Sequence, residues 1–577
     1  MNTSAKPSPP ASMGSSAMST KDRSDTVLDP VSLEIMWQRV ISIVEECWTT
    51  VWKTSFSVVV GEALDFGCEA LDVEGNVLAH AKRSMPAFNN ALPTCARACL
   101  ELYPVETLRP GDVLITNDPW LCAGHLFDVA IITPVFNDDE QVVAFMGSVA
   151  NVADIGGTRA RHTTREIYEE GLFIPPMKLY DAGAVNSDLV RVIEHNVRLA
   201  PMVIGDIHAM VAANRLGAER LLHFMHEYEL ADLRSLTSEV QGRTERAMRE
   251  AIAALPDGTY TATQWCDGID APFELPVAIT VHGDSITVDF AGAPPQLPHG
   301  GTNVTLSILK AETVYVLKCL LSPRVPSNAG DFRPIEIRAP EGSVLNCTHP
   351  ASVNNRTRTL WCVPPLLMRA LADVAPGNVQ AFTGFPLAVK VYGTDDGRPF
   401  NDHLFQAGGQ GASALSDGCG AVLFPTSAGN VSIETFETRT PFLVDTKAYI
   451  ADSGGAGTYR GAPGQRVTVR RLPSATGGKY LVGAWPTGMR RDTPGLLGGE
   501  AGTRMQLFTD EGPGTPRTEH DGGVFFDMQP GQRVTVDLPG GGGYGPASAR
   551  DARAVQRDIA DGFVMQSAEH ASGKETR

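Results

Sequence analysis

Apolar residues recur at helical spacing through residues 29–53, DPVSLEIMWQRVISIVEECWTTVWK, with Asp29 and Ser32 near the start. The pattern predicts a long amphipathic helix with an N-terminal cap. DFGCEALDVEGNVLAHA (65–81) holds two short apolar runs around a Glu-Gly pair and reads as two strands. NNALPTCARACLELY reads as a second helix. GDVLITND, VAIITPVF and QVVAFMGSVA are β-branched runs, and NDDE between the last two signals a hairpin turn. From about 176 to 256 the pattern is helical, and after Pro256 strands return with GTYTATQWCDG and LPVAITVHGDSITVDFAG. Glycine-rich stretches follow, and residues 547–564 read as a short helix. Helices and strands fall in separate blocks, so the expected fold is α+β with mixed and antiparallel sheets in a large, multi-lobed chain. The expected divisions are a disordered tail at 1–28, an α+β region at 29–175 carrying the candidate site, and a helical region at 176–256. A β-rich, glycine-rich region at 257–546 and a C-terminal helix with a polar tail at 547–577 complete them.

Composition narrows the function classes. The chain has 577 residues and a formal net charge of −18, so nucleic acid, which attracts a basic face, is not an expected partner. No run of about 18 uncharged apolar residues exists, so no membrane span is expected. The N-terminus is rich in Ser, Ala and Pro and lacks the apolar core of a secretory signal. Ten scattered cysteines without a CxxC pair point to reduced thiols and a cytoplasmic protein.

The richest candidate chemistry is in NDPWLCAGHLFD, residues 117–128. If Phe136 and Gln141 flank the hairpin turn, Asp128 lies opposite Val149 and His125 opposite Val152. The hairpin then brings His125 and Asp128 beside ANVADIGG (150–157), with Asn151 and Asp154 in the same small region. Imidazole and carboxylate together suit Zn, Mn or Fe, and Asn can add a carbonyl oxygen. The ordinary alternative is that Asp and Asn cap turns here and that His125 is a hydrogen-bonded structural residue. GGQGASALSDG, DSGGAG and PGGGGYG match neither GxxxxGK[ST] nor a GxGxxG between strand and helix. They read as tight turns and close backbone approaches, and no nucleotide site is expected in the chain. Arg159, Arg161, His162 and Arg165 stand in a polar segment able to receive an anionic group or to form a solvated or inter-subunit face.

The chain resembles the hydantoinase B/oxoprolinase family over about residues 29–565. The matching stretches include ALDFGCEALDVEGNVLAH, GDVLITNDPWLCAGHLFDVAIITPVF, ADIGG, EIYEEGLFIPPMKLY, SNAGDFRPIEIRAPEGSVLN, DSGGAGTYRG and LPGGGGYG. The resemblance implies a B-type subunit that works with hydantoinase A-like subunits of actin-like fold. Those partners bind ATP and Mg; in the carboxylases a small further subunit joins them. ATP activates a carbonyl oxygen, and the activated species is hydrolysed or carboxylated. In metal-containing members a His and Asp motif and a His before DIGG hold Mn or Zn. The corresponding residues are His125, Asp128 and Asn151, with Asp65 as a further polar member.

This sequence departs from that pattern. Asn151 and Val152 stand where histidines are usual, and MPAFNN replaces a His-containing stretch. An amide oxygen is a poorer donor than imidazole to Mn or Zn, so the metal set is weakened. Trp120, Phe88, Cys122 and Val152 are expected to shape an apolar pocket. Catalytic roles are expected for His125, Asp128, Asp65 and Asp154, and substrate contacts for Trp120, Cys122, Phe88, Asn151 and Arg161. The favoured expectation is the B-type subunit of an ATP-dependent ketone carboxylase of the acetophenone type. The alternative is the B-type subunit of an ATP-dependent cyclic-amide hydrolase, of N-methylhydantoinase, 5-oxoprolinase or caprolactamase type. A third reading is a scaffold subunit with a decayed site, against which the retained acidic and His residues speak.

Overall fold

The computed structural model describes residues 29–426, 428–474 and 478–565. The tail expected at 1–28 and the polar residues 566–577 lie outside them.

The first helix, α1 (Pro30–Thr54), starts where Asp29 accepts from the Val31 and Ser32 amides at 3.0 and 3.2 Å. Its buried stripe, including Trp37, Val40, Val44, Trp48 and Val51, follows the helical period. α2 (Val58–Gly61) is one turn; α3 (Pro86–Leu102) begins on a proline three residues before the expected NNALP start. β1 (Phe66–Leu71) and β2 (Val77–His80) form the expected pair, their turn tied by the Asp72 carboxylate accepting from the Glu74 and Asn76 amides. β3 (Val113–Thr116), β4 (Asp128–Phe136) and β5 (Val142–Asn151) are the three β-branched runs. β6 (Met177–Asp181) and β7 (Ala184–Val185) complete a seven-stranded antiparallel sheet of order β2-β1-β5-β4-β3-β6-β7.

The block expected to be helical from 176 therefore opens on two strands. Its helices are α4 (Ser187–Asn196), α5 (Ala200–Glu227) and α6 (Arg234–Ala253). α1 and α5 cover one face of the sheet; α3 covers the other, with α7 (Leu306–Leu321) packed upon it. β4 shows the division: Val129 and Ile131 enter one apolar cluster, Ala130 and Ile132 the other. Burial on both faces explains why these antiparallel strands read as unbroken apolar runs.

The hairpin register differs from expectation by two residues. Asp128 pairs with Asn151, not Val149. The turn is longer than the sequence pattern indicates: Phe136 pairs with Val142, and Asn137 Oδ1 accepts from the Asp139 and Gln141 amides. A bulge between Val135 and Phe136 absorbs the extra residue.

A four-stranded sheet follows, of order β11-β10-β9-β8, from β8 (Gly258–Cys266), β9 (Phe273–His282), β10 (Ser285–Asp289) and β11 (Ile335–Arg338). The third sheet contains β12 (Leu387–Asp395) paired with β13 (Arg398–Gln406), and the chain's last strand, Arg533–Asp537, is the central strand of a five-stranded sheet. The region expected to be β-rich thus also carries α7, a 16-residue helix buried almost all round. The last helix spans Ala552–Ala560.

Candidate functional site

The loop 117–128 is held from beneath by Asn117. Its Oδ1 accepts from the Ile174 amide at 2.7 Å, and its Nδ2 donates to the Leu126 and Leu172 carbonyls. Asp118 Oδ1 accepts from the Trp120 amide at 2.9 Å. For these two residues the ordinary loop-capping role holds.

His125 and Asp128 form a buried cluster at the loop's end. His125 Nδ1 stands 2.7 Å from Asp128 Oδ2 without the alignment of a hydrogen bond. The same carboxylate oxygen accepts from Arg356 Nη2 at 2.9 Å, while Arg356 Nε donates to the Ala123 carbonyl at 2.7 Å. Arg356 therefore joins the loop to a segment 228 residues further along the chain.

His125 and Asn151 line a cavity of about 180 Å³ together with Asp65, Glu312, Lys390 and His403. Its apolar wall includes Phe88, Leu360, Trp361, Phe405 and Trp485. His162 supports that wall by accepting from the Trp485 indole N–H at 3.0 Å. Lys390 and His403 face each other across the β12–β13 pair.

Enclosure changes the charge state of these groups. Burial pushes Asp65 up to about 7, and the Asp128 carboxylate adds to the rise. Burial likewise pushes Asp128 up to about 7, against the pull of Arg356. Burial lifts Glu312 to about 8 and takes His403 down to about 3. His125 falls well below its ordinary value through burial and the nearby Arg356 charge. Lys390 falls well below its own through burial and the adjacent Arg161. The cavity thus joins carboxyls that keep a proton near neutrality to bases that shed theirs, the pairing used in proton transfer.

The sequence-expected residues separate into two groups. Asp65, Phe88, His125, Asn151 and Arg161 line the cavity, and Asp128 sits directly behind it. Asp154 lies in an adjoining small chamber, ion-paired with Arg198 at 2.8 Å. Trp120 and Cys122 are not among the described lining residues. The Trp120 indole donates to the Cys347 carbonyl at 2.9 Å, and Cys122 packs in the core beside Cys95. Val152 is buried and reaches only the small chamber. Arg165 is exposed and paired with Glu169. Pattern reading missed Arg356, Glu312, Lys390 and His403. A lone carboxylate inside the apolar stretch LSILKAETVYVLKCLL and a lone cation inside LAVKVYG were the available signals.

The metal implied by the family resemblance has a poor donor set here. Arg356 already holds the Asp128 carboxylate, Asn151 offers only a neutral amide, and Arg161 adds positive charge to the same cavity. No group of three His, Cys, Asp or Glu side chains placed to hold a metal ion occurs among the described residues. The residues present do not fit a Mn or Zn ion. No helix among the described residues is long and apolar enough to cross a membrane.

Comparison with known proteins agrees with the architecture. A family model for hydantoinase B/oxoprolinase matches residues 29–547. The B-type subunit of a putative D-/L-hydantoinase from Pseudomonas sp. (strain NS671) is 29% identical, covering 93% of this chain and 94% of its own length. The crystal structure of the ATP-dependent caprolactamase from Pseudomonas jessenii superposes with a TM-score of 0.84 at 25% identity, over 95% of this chain and 96% of that one. A nucleotide-free acetone carboxylase structure shares the fold, with a TM-score of 0.83 at 17% identity over 93% of this chain and 78% of that one. With the family's match running through nearly every described element, the chain belongs to the hydantoinase B/oxoprolinase family of enzyme subunits.

Proposed function

We propose that this chain is the B-type subunit of an ATP-dependent enzyme and encloses the second half of a carboxylation of an enolisable aromatic ketone. ATP and Mg belong, in this reading, to a hydantoinase A-like partner that makes the enol phosphate. The enolate released from it is held against Phe88, Trp361, Phe405 and Trp485. Bicarbonate loses hydroxide to give carbon dioxide; the enolate carbon attacks its carbon, a C–C bond forms, and one C–O π pair moves onto oxygen as a carboxylate. His125 and Asp65 manage the proton at the enolate oxygen, and a water-excluding wall protects the carbanion.

The observation that carries this reading is one cavity holding an aromatic wall, proton-retaining carboxyls and a lysine that sheds its proton. Capture of Asp128 by Arg356 supports it, since a metal-bound hydroxide for amide hydrolysis lacks its donors. A second reading, a cyclic-amide hydrolase component, draws on the names of the hydantoinase and caprolactamase relatives.

The deciding experiment measures ATP turnover by the chain co-purified with its partner. An aromatic ketone should stimulate ATP hydrolysis only with bicarbonate and yield a C–C-linked carboxylate. Hydantoin- or lactam-stimulated turnover without bicarbonate would replace this reading by the second. His125→Ala should abolish turnover while the complex still elutes at the wild-type size; retained turnover would remove His125 from the mechanism.

A further inference from the structure

Beside the main cavity lies a chamber of about 40 Å³. Asn151, Arg161, Lys390 and His403 line both, so the two spaces adjoin across these side chains. The small chamber carries positive charge from Arg159 and Arg161. Arg159, Arg161, Arg198 and Lys390 line it, and Asp154 is the carboxylate among its described lining residues.

Asp154 does not neutralise that charge. Both its oxygens are taken by Arg198, through the guanidinium and the backbone amide. Arg198 also donates to the Gly156 and Gly157 carbonyls. Asn401 Nδ2 donates to the Ala153 carbonyl at 2.9 Å, whereas Arg161, Lys390, Arg159 and Tyr392 keep unused donors among the described residues. The Arg161 guanidinium rests on the Phe127 ring, 4.1 Å from its centre, and has no hydrogen-bond or ion-pair partner there. Lys390 Nζ has none either. Arg159 Nε and the Tyr392 hydroxyl are buried and unpartnered. Buried donors normally find acceptors, and enclosed cations normally find counter-ions.

We propose that this chamber is an oxyanion subsite for one planar carboxylate or bicarbonate ion, held by Arg161 and Lys390, with Arg159 and the Tyr392 hydroxyl behind it. Size supports the assignment, since a water needs about 10–15 Å³ of such space and the chamber's about 40 Å³ has room for about three to four heavy atoms. Geometry supports it too: a guanidinium fork matches a planar oxyanion through two parallel hydrogen bonds. Desolvation and the Arg161 charge hold the Lys390 amine well below its ordinary range, and a bound anion is what restores its proton. The choice of bicarbonate as the natural occupant rests on the carboxylase reading. The subsite itself does not, because a substrate or product carboxylate has the same chemistry.

Equilibrium titration of the full chain, without ATP or ketone, tests this directly. ¹³C-bicarbonate and acetate are the probes, followed by NMR line broadening and calorimetry. Wild type should bind both at one mutually exclusive site. Lys390→Met and Arg161→Met should each weaken binding by roughly 10- to 100-fold, Lys390→Arg should retain it, and exposed Arg165→Met should leave it unchanged. Thermal unfolding of each variant separates lost binding from lost folding. If neither probe binds, or if folded Lys390→Met and Arg161→Met bind like wild type, the subsite is disproved. If bicarbonate binds but turnover never depends on it, the subsite stands and the carboxylase reading falls.

Discussion

At the scale of single residues, Arg356 is the centre of the candidate site. It holds the buried Asp128 carboxylate at 2.9 Å and opposes the burial-driven rise of Asp65, Asp128 and Glu312. Removing one partner of a buried pair leaves the other charge unpaired, at a cost of about 3–5 kcal/mol. Arg356→Met is therefore expected to lower stability by about that amount in urea unfolding, and Arg356→Met with Asp128→Asn to recover part of it. No recovery in the double variant would show that the two side chains do not act as a pair. Glu312 provides a second test with a definite sign. Burial lifts its carboxyl from the ordinary 4.5 to about 8, so the folded chain keeps a proton that the unfolded chain releases. The associated stability is complete below the unfolded value and is lost as pH rises through the folded one. Glu312→Gln keeps the shape and removes the titration. It is expected to exceed wild type in stability by on the order of 2–4 kcal/mol near pH 8.5 and by little near pH 5. A difference that does not grow with pH would show that Glu312 is not a buried, proton-retaining carboxyl.

At the scale of elements, the site depends on how the loop after β3 passes under the turn that carries Arg356. Gly124 makes that passage possible. Its φ is +94°, and a Cβ there would lie 2.7 Å from Arg356 Cδ and Nε and 2.9 Å from Ile308 Cγ2. Gly124→Ala should displace Arg356 from Asp128, reduce turnover of the complex at least tenfold and cost about 1–3 kcal/mol. Wild-type turnover would show that the Arg356 contact is not needed. The elements themselves were legible in unequal measure. α1 announced itself by its period and its Asp29 cap, and β4 and β5 by their β-branched runs. α7 stayed hidden because burial around nearly its whole circumference erases the amphipathic period. The hairpin was visible, but its register was off by two residues because a bulge and an Asn137-capped turn leave little trace in hydropathy. His125, Asp128 and Asn151 were still brought together, since a slip of two residues preserves which face each side chain occupies. Trp120 and Cys122 were expected at the cavity because of their place in the loop, and the turn at Asp118 directs them elsewhere. Arg356, Lys390 and Glu312 come from segments far along the chain, and no local pattern reports such a meeting.

At the scale of the whole molecule, the glycine-rich segments tie distant parts of the C-terminal half together. Residues 541–545 donate in succession to the Ala462, Phe382, Glu500, Tyr459 and Leu496 carbonyls, all at 2.9–3.0 Å. In return, the carbonyls of Gly541 and Gly542 accept from Gly455 and Ala412. One short strip of backbone thus satisfies several separate loops, and side chains have no room between them. A Cβ on Gly541 would fall 2.1 Å from the Gln410 carbonyl oxygen and 2.7 Å from the Gly411 amide, both backbone atoms that cannot swing away. This close approach is the reason the sequence reads PGGGGYG, and it agrees with the turn-and-packing interpretation of these glycines over a phosphate loop. Gly541→Ala must therefore separate two backbone segments and break hydrogen bonds on both sides. It is expected to cost at least about 3 kcal/mol and to appear as insoluble chain or a sharply lowered unfolding temperature. Gly522→Ala is the matched control, because a Cβ there meets nothing within 4 Å and the position carries no positive φ. That variant should stay within about 0.5 kcal/mol of wild type. If Gly541→Ala instead unfolds with the wild-type midpoint, the loops are not joined by direct backbone contact, and the rigidity that holds Lys390 and His403 over the cavity must arise within the β12–β13 pair itself.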